Sequence, residues 1–110
     1  MKTLDHTPLF TTGVTAAFLG IKPKTLINYE NAALIKTHRS KTGRRLFSKA
    51  DIFKVMMIRY FIKKKHLKFG SMKIIFNMLE ESDRKGVNLY DVIIKPETVQ
   101  EFVNAVKEKL

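Results

Sequence analysis

Arg39, Lys41, Arg44 and Arg45 fall within seven residues, on either side of Gly43. A guanidinium offers a planar fork of N–H donors that fits two phosphate oxygens at once, and an ammonium is a compact point charge. His38 stands beside Arg39 and is a further phosphate-contact candidate. A second group lies upstream: Lys22, Lys24, Thr25 and Asn28, with Thr12 before it and Tyr29 after it. Asparagine and lysine hydrogen-bond nucleobase edges as well as phosphate. Tyrosine packs its ring while its hydroxyl reaches an acceptor, and plain core packing is the competing reading for Tyr29. The chemistry on offer is non-covalent recognition of a polyanion. Catalysis has little to work with: Glu30 lacks an acid–base partner, and there is no nucleophile–base arrangement or phosphate-binding glycine loop. His6, His38 and His66 are scattered without ligand spacing, so neither a metal nor a cofactor is expected.

The charge distribution points the same way. The 110 residues carry 21 Lys+Arg and 10 Asp+Glu, a net charge of +11. Residues 1–70 hold 15 basic and 3 acidic residues, net +12, whereas residues 71–110 hold 6 and 7, net −1. The first part is an electrostatic footprint for a polyanion and the second is ordinary. Apolar residues make up 45% of the chain, enough for a modest core in one domain with at most a short appendage. A domain of this size gains from pairing with a second copy. Cysteine is absent, which excludes disulfides, thiolate metal sites and thiol redox switches. The apolar runs are too short to span a bilayer, and Met1–His6 has no apolar signal core, so no membrane partner is expected.

Residues 1–10 read as a poorly ordered arm ending in a short strand at Leu9-Phe10. A short helix follows over 12–19, with Val14, Ala17 and Phe18 as its apolar stripe. Gly20 ends it, and Pro23 opens a second helix over about 23–33. Two short helices around a three-residue turn make a helix-turn-helix pattern. Residues 36–47 read as a hairpin, or wing, with a polar tip at Ser40-Lys41-Thr42-Gly43. Arg44 and Arg45 alternate along its return strand, so one faces outward and the other packs across the fold. A solvated hairpin without a partner is the competing reading.

Ser48 and Asp51 resemble a capping box opening a third helix over 49–64, with Ile52, Val55, Met56, Ile58 or Arg59, and Ile62 inward. The run Lys63-Lys64-Lys65 complements the helix dipole and sits in water, with contact to the polyanion as the competing reading. A fourth helix is predicted over 71–80 with Ile74, Ile75, Met78 and Leu79 apolar; residues 87–94 fit either a strand or the start of a helix. The last helix, 97–110, carries Val99, Phe102, Val103, Val106 and Leu110 on one stripe. That stripe either packs back onto the fourth helix or forms a dimer seam, and the small basic domain favours the seam. The predicted fold is mainly α: arm 1–10, winged helix-turn-helix 11–81, and linker plus C-terminal dimerisation helix 82–110.

The ordered set of pieces resembles the MerR family of transcription regulators. It comprises Phe10-Thr11-Thr12-Gly13-Val14, Gly20-Ile21-Lys22-Pro23-Lys24-Thr25-Leu26, Tyr29-Glu30 with Leu34-Ile35, Gly43-Arg44-Arg45-Leu46-Phe47-Ser48, and Asp51-Ile52. The stretch Leu67-Lys68-Phe69-Gly70-Ser71-Met72-Lys73-Ile74-Ile75 resembles the heat-shock-repressor and glutamine-synthetase-repressor branch. The resemblance implies a homodimer on a pseudo-palindromic double-stranded DNA operator, with the second helix in the major groove and the wing on the flanking backbone. It also implies a bacterial cytoplasmic or nucleoid location. Two positions depart from the family pattern: Ile27 replaces a DNA-touching arginine, and Lys22 replaces a small capping hydroxyl. The alternatives are an architectural or excisionase-like DNA binder, and a protein-interaction or anionic-membrane module. Nothing in the sequence speaks to a contact with RNA polymerase.

Overall fold

The computed structural model describes residues 4–86 and 94–110. Their elements run β1 (Phe10–Thr11), α1 (Thr12–Leu19), α2 (Pro23–Asn31), β2 (His38–Arg39), β3 (Arg45–Phe47), α3 (Lys49–Lys64), α4 (Phe69–Arg84) and α5 (Pro96–Lys109). The expected mainly helical architecture with a helix-turn-helix, a small wing and a C-terminal helix is what forms. The Thr11 hydroxyl caps α1 by accepting from the Val14 N–H at 3.3 Å. Gly20 closes α1 in the left-handed conformation at φ 67°, which a side chain would resist. The three-residue turn 20–22 then delivers Pro23 at the start of α2. The exit from α2 has no glycine. Ala33 takes φ 59° while the Leu34 N–H reaches the Tyr29 carbonyl at 3.0 Å, and the buried Leu34 and Ile35 hold the chain in that turn.

The sheet has the order β1-β3-β2, antiparallel throughout, with Phe10 opposite Phe47, Thr11 and His38 both opposite Leu46, and Arg39 opposite Arg45. The wing tip closes where the Ser40 N–H donates to the Arg44 carbonyl and the Gly43 N–H to the Ser40 carbonyl, both at 2.9 Å. Gly43 sits there at φ 85°, so this position requires glycine. The predicted capping box at α3 is complete: the Ser48 hydroxyl accepts from the Asp51 N–H at 3.0 Å, and the Asp51 carboxylate accepts from the Ser48 N–H at 2.9 Å.

Several inward faces differ from the sequence reading. Thr15 and Ala16 are the buried residues of α1, whereas Val14 is 50% exposed and Ala17 is exposed. α1 meets α2 and the β1–β3 pair, and small side chains suit that close junction. On α4 the buried residues are Met72, Phe76 and Leu79, while Ile74 and Met78 face outward. Phe76 meets Phe61 edge-to-face at 6.1 Å, and this aromatic pair fixes the rotation of α4. α3 buries Phe53, Met57 and Phe61 in addition to Ile52, Val55 and Ile58, because neighbours cover it on more than one side.

Both chain ends also depart from expectation. The segment from Leu4 is not a loose arm: Leu4 is buried in the core, and the Asp5 carbonyl accepts from the Ala50 N–H at 3.1 Å. The Leu9 N–H donates to Phe47, and the strand itself spans Phe10–Thr11, one residue later than predicted. At the other end α5 packs on α3 within the same chain. Val103 and Val106 are buried there, Val99, Phe102 and Leu110 are partly buried against the core, and Phe102 meets Tyr60 edge-to-face at 6.1 Å. The stripe expected as a dimer seam is thus used inside the chain, since α3 offers it an apolar face directly. The strand-or-helix alternative for 87–94 falls, apart from the buried Ile94, outside the described residues.

Thr15 is fully buried, and its hydroxyl has no hydrogen-bond partner among the described residues. Burying an unpaired hydroxyl is unfavourable, and an isosteric methyl removes the penalty. Thr15→Val is expected to stabilise the fold by about 1 kcal/mol, raising the Tm by about 4 °C. Thermal unfolding followed by circular dichroism checks this; a lowered Tm would show that the hydroxyl is paired.

Candidate nucleic-acid interface

α2 begins without a side-chain cap, because Lys22 occupies the capping position. Its first-turn N–H groups therefore lack a side-chain acceptor, and the positive end of the helix dipole adds to the charges of Lys22 and Lys24. Both lysines are exposed, as is Asn28 one turn on, while Thr25 and Ile27 are half-buried. The opposite face of α2 is anchored by the buried Leu26 and Tyr29. The 3.6-residue period thus separates the anchoring side chains from a polar, cationic face.

The wing is fixed to α2 through Glu30. Its Oε1 accepts from Arg45 Nε at 2.8 Å, and Arg39 Nη2 lies 3.5 Å from the same oxygen. The Thr37 hydroxyl donates to the other carboxylate oxygen. One carboxylate therefore holds both wing strands and the residue leading into them. The Thr37 hydrogen bond, then the Arg45 bond, then the charges of Arg45 and Arg39, hold its carboxyl below the ordinary glutamate range against the opposing effect of burial.

The arginines divide accordingly. Arg45 is engaged inside the fold, Arg39 is half-exposed beside Glu30 and also donates to the Gly43 carbonyl at 3.3 Å, and Arg44 is exposed. Among the described residues the Arg44 guanidinium has no hydrogen bond or ion pair. Lys41 is exposed at the wing tip. His38 is exposed, with Nε2 3.7 Å from the Asp51 carboxylate. Thr12 is half-buried in the first turn of α1. Tyr29 packs in the core at 4% exposure, the alternative to a phosphate contact, and Arg59 Nη1 approaches its hydroxyl at 3.5 Å.

Chain comparison decides what this head is. Residues 10–79 match the family model described as MerR HTH family regulatory protein. The chain belongs to the MerR family. That family's helix-turn-helix is a DNA-binding regulator domain, not an enzyme. Comparison with curated proteins gave no match. No helix among the described residues is long and apolar enough to cross a membrane.

Two residues of this MerR head escaped the sequence reading. Thr37 carried no signal beyond lying where α2 leads into the wing, and its role appears only once the chain folds back on Glu30. Arg59 is one of two residues the sequence allows at that inward position of α3, without a partner named for it. The signal that could have found it is a lone arginine on the apolar side of a helix, which needs a polar partner there. Tyr29 supplies that partner across 30 residues of sequence.

The carboxylate of Glu30 has a testable signature. Its folded pKa lies below the unfolded value of about 4.5, so its contribution is fully present above that pH and is lost as pH falls through the folded value. Glu30→Gln is expected to cost about 1–2 kcal/mol at pH 7, the scale of a charge-assisted hydrogen bond in a partly screened site. The gap from the parent protein should shrink below about pH 4.5 and close once the parent carboxyl is protonated. Paired denaturant titrations from pH 7 to 3 read this directly. A gap that does not vary with pH would mean that Glu30 acts through shape alone.

Proposed function

We propose that the protein is a sequence-specific transcription regulator that binds double-stranded DNA as a homodimer on a pseudo-palindromic operator. α2 enters the major groove, and the wing, residues 36–47, lies on the flanking backbone. The observation that carries this reading is the set of exposed cations on a MerR head: Lys22 and Lys24 at the uncapped start of α2, and Lys41 and Arg44 at the wing. Lys24, Thr25 and Asn28 face the bases, with Lys22 and Thr12 at the phosphates beside them. Arg44 and Lys41 take backbone phosphates, His38 and Arg39 lie alongside, and Arg45 serves by holding the wing to α2. The link 67–75 supports placing the protein in the heat-shock-repressor and glutamine-synthetase-repressor branch. Pairing doubles the site length that one short α2 can read, which supports the dimer.

Selection of bound fragments from random duplex DNA is expected to return inverted repeats preferred about a thousandfold over random sequence. Equal affinity for all duplexes would replace the regulator reading with an architectural one. On the selected site, Arg44→Ala should weaken binding and lower the slope of log K against log salt by about one, the signature of one lost phosphate contact. Fluorescence anisotropy across a salt series measures this slope. An unchanged slope would remove Arg44 from the interface.

A further inference from the structure

α1, α3 and α5 line an open cavity of about 440 Å³. Phe18, Tyr60 and Phe102 give it apolar walls, and all three are only half-buried, so the helices meet without filling the space between them. Its other walls carry Arg59, Lys63, Lys64 and Lys109, with no acidic residue among the described lining residues. The volume falls within the range of small-molecule sites. Apolar walls with a one-signed cationic border select an occupant with an apolar body and a negative head. A neutral apolar molecule would leave the cations unpaired, and a hydrophilic anion would leave the aromatic walls wet.

We propose that this cavity binds an amphiphilic organic anion, an alkyl or aryl carboxylate whose chain lies against Phe18, Tyr60 and Phe102 while its head meets Arg59 together with Lys63, Lys64 or Lys109. The site is built into the recognition domain. Phe18 belongs to the first helix of the helix-turn-helix, and Arg59 also approaches the Tyr29 hydroxyl of α2 at 3.5 Å. A carboxylate that draws Arg59 toward itself takes that donor from α2. On the reading of the protein as a DNA-binding regulator, the anion therefore lowers DNA affinity.

The full chain is titrated with decanoate, below micelle formation, by calorimetry, with decanol as the uncharged control. Saturable one-to-one binding of decanoate, at least tenfold tighter than decanol, is expected. Lys63→Gln combined with Lys64→Gln and Lys109→Gln should weaken decanoate at least tenfold and leave decanol unchanged. These side chains are exposed, so the variant folds. Ala105→Trp, which fills the cavity, should abolish both. No saturable binding, equal binding of decanol, or insensitivity to the lysine changes would overturn the site. Anisotropy on the selected operator with saturating decanoate then tests the coupling. Decanoate bound with DNA affinity unchanged would overturn the regulatory step while the site stands. Decanoate bound by a protein that fails to bind any DNA would overturn the regulator reading instead.

Discussion

One carboxylate fixes the geometry on which recognition depends. α2 and the wing come from consecutive stretches of chain, but neither is large enough to hold a fixed angle to the other. Glu30 supplies that constraint by accepting from Thr37 and Arg45 and lying beside Arg39. Each partner stands on a different part of the hairpin, so the wing cannot swing without breaking a charge-assisted bond. The pairing is half-buried, where water screens it less than at an exposed surface. Its main value is positional: it sets α2 and the wing at one fixed angle to each other. The MerR head thus has its helix and wing joined around a single acidic residue.

Much of this was legible in the sequence because punctuation is local chemistry. Gly20, Pro23, Gly43 and the Ser48–Asp51 box each act within a few residues of where they stand, and all four mark turns or caps in the structure. α3 spans the predicted 49–64 for the same reason. What was not legible is rotation about a helix axis when apolar residues lie on more than one face. α4 carries Met72, Ile74, Ile75, Phe76, Met78 and Leu79, and either of two stripes satisfies a helical period. The edge contact of Phe76 with Phe61 chooses between them, and no local rule contains it. The pairing of Tyr29 with Arg59 is not legible for the same reason, since a contact 30 residues apart exists only after folding.

The core also draws on residues beyond the span that the family model matches. Leu4 enters it from the N-terminal side, and Ile94, Val103 and Val106 enter from the C-terminal side. A head built of short helices buries a small share of its surface, and these residues extend the core at both ends. Using the α5 stripe in this way has a consequence for assembly. Its Val103 and Val106 are already covered by the chain's own fold, so they are not exposed for a second chain. It also leaves the α1–α3–α5 junction incompletely filled, because three half-buried aromatics meet there around a cavity.

The last constraint is electrostatic. A head with 15 basic residues in its first 70 repels itself, and each spare carboxylate near the DNA face would compete with phosphate for the same cations. Its three acidic residues are all spent on structure. Asp5 accepts from the Thr7 N–H and hydroxyl, Asp51 closes the cap of α3, and Glu30 ties the wing. None is left as a free counterion on the cationic face. The arginines follow the same economy in reverse: Arg45 is committed inward, Arg39 is shared, and Arg44 stands in solvent without an acidic neighbour among the described residues. Removing Glu30 would therefore raise the net positive charge of the head, but the freed charge on Arg45 would come with a wing no longer tied to α2. Geometry outranks charge count at such a surface, since counterion release rewards only those cations that reach a phosphate.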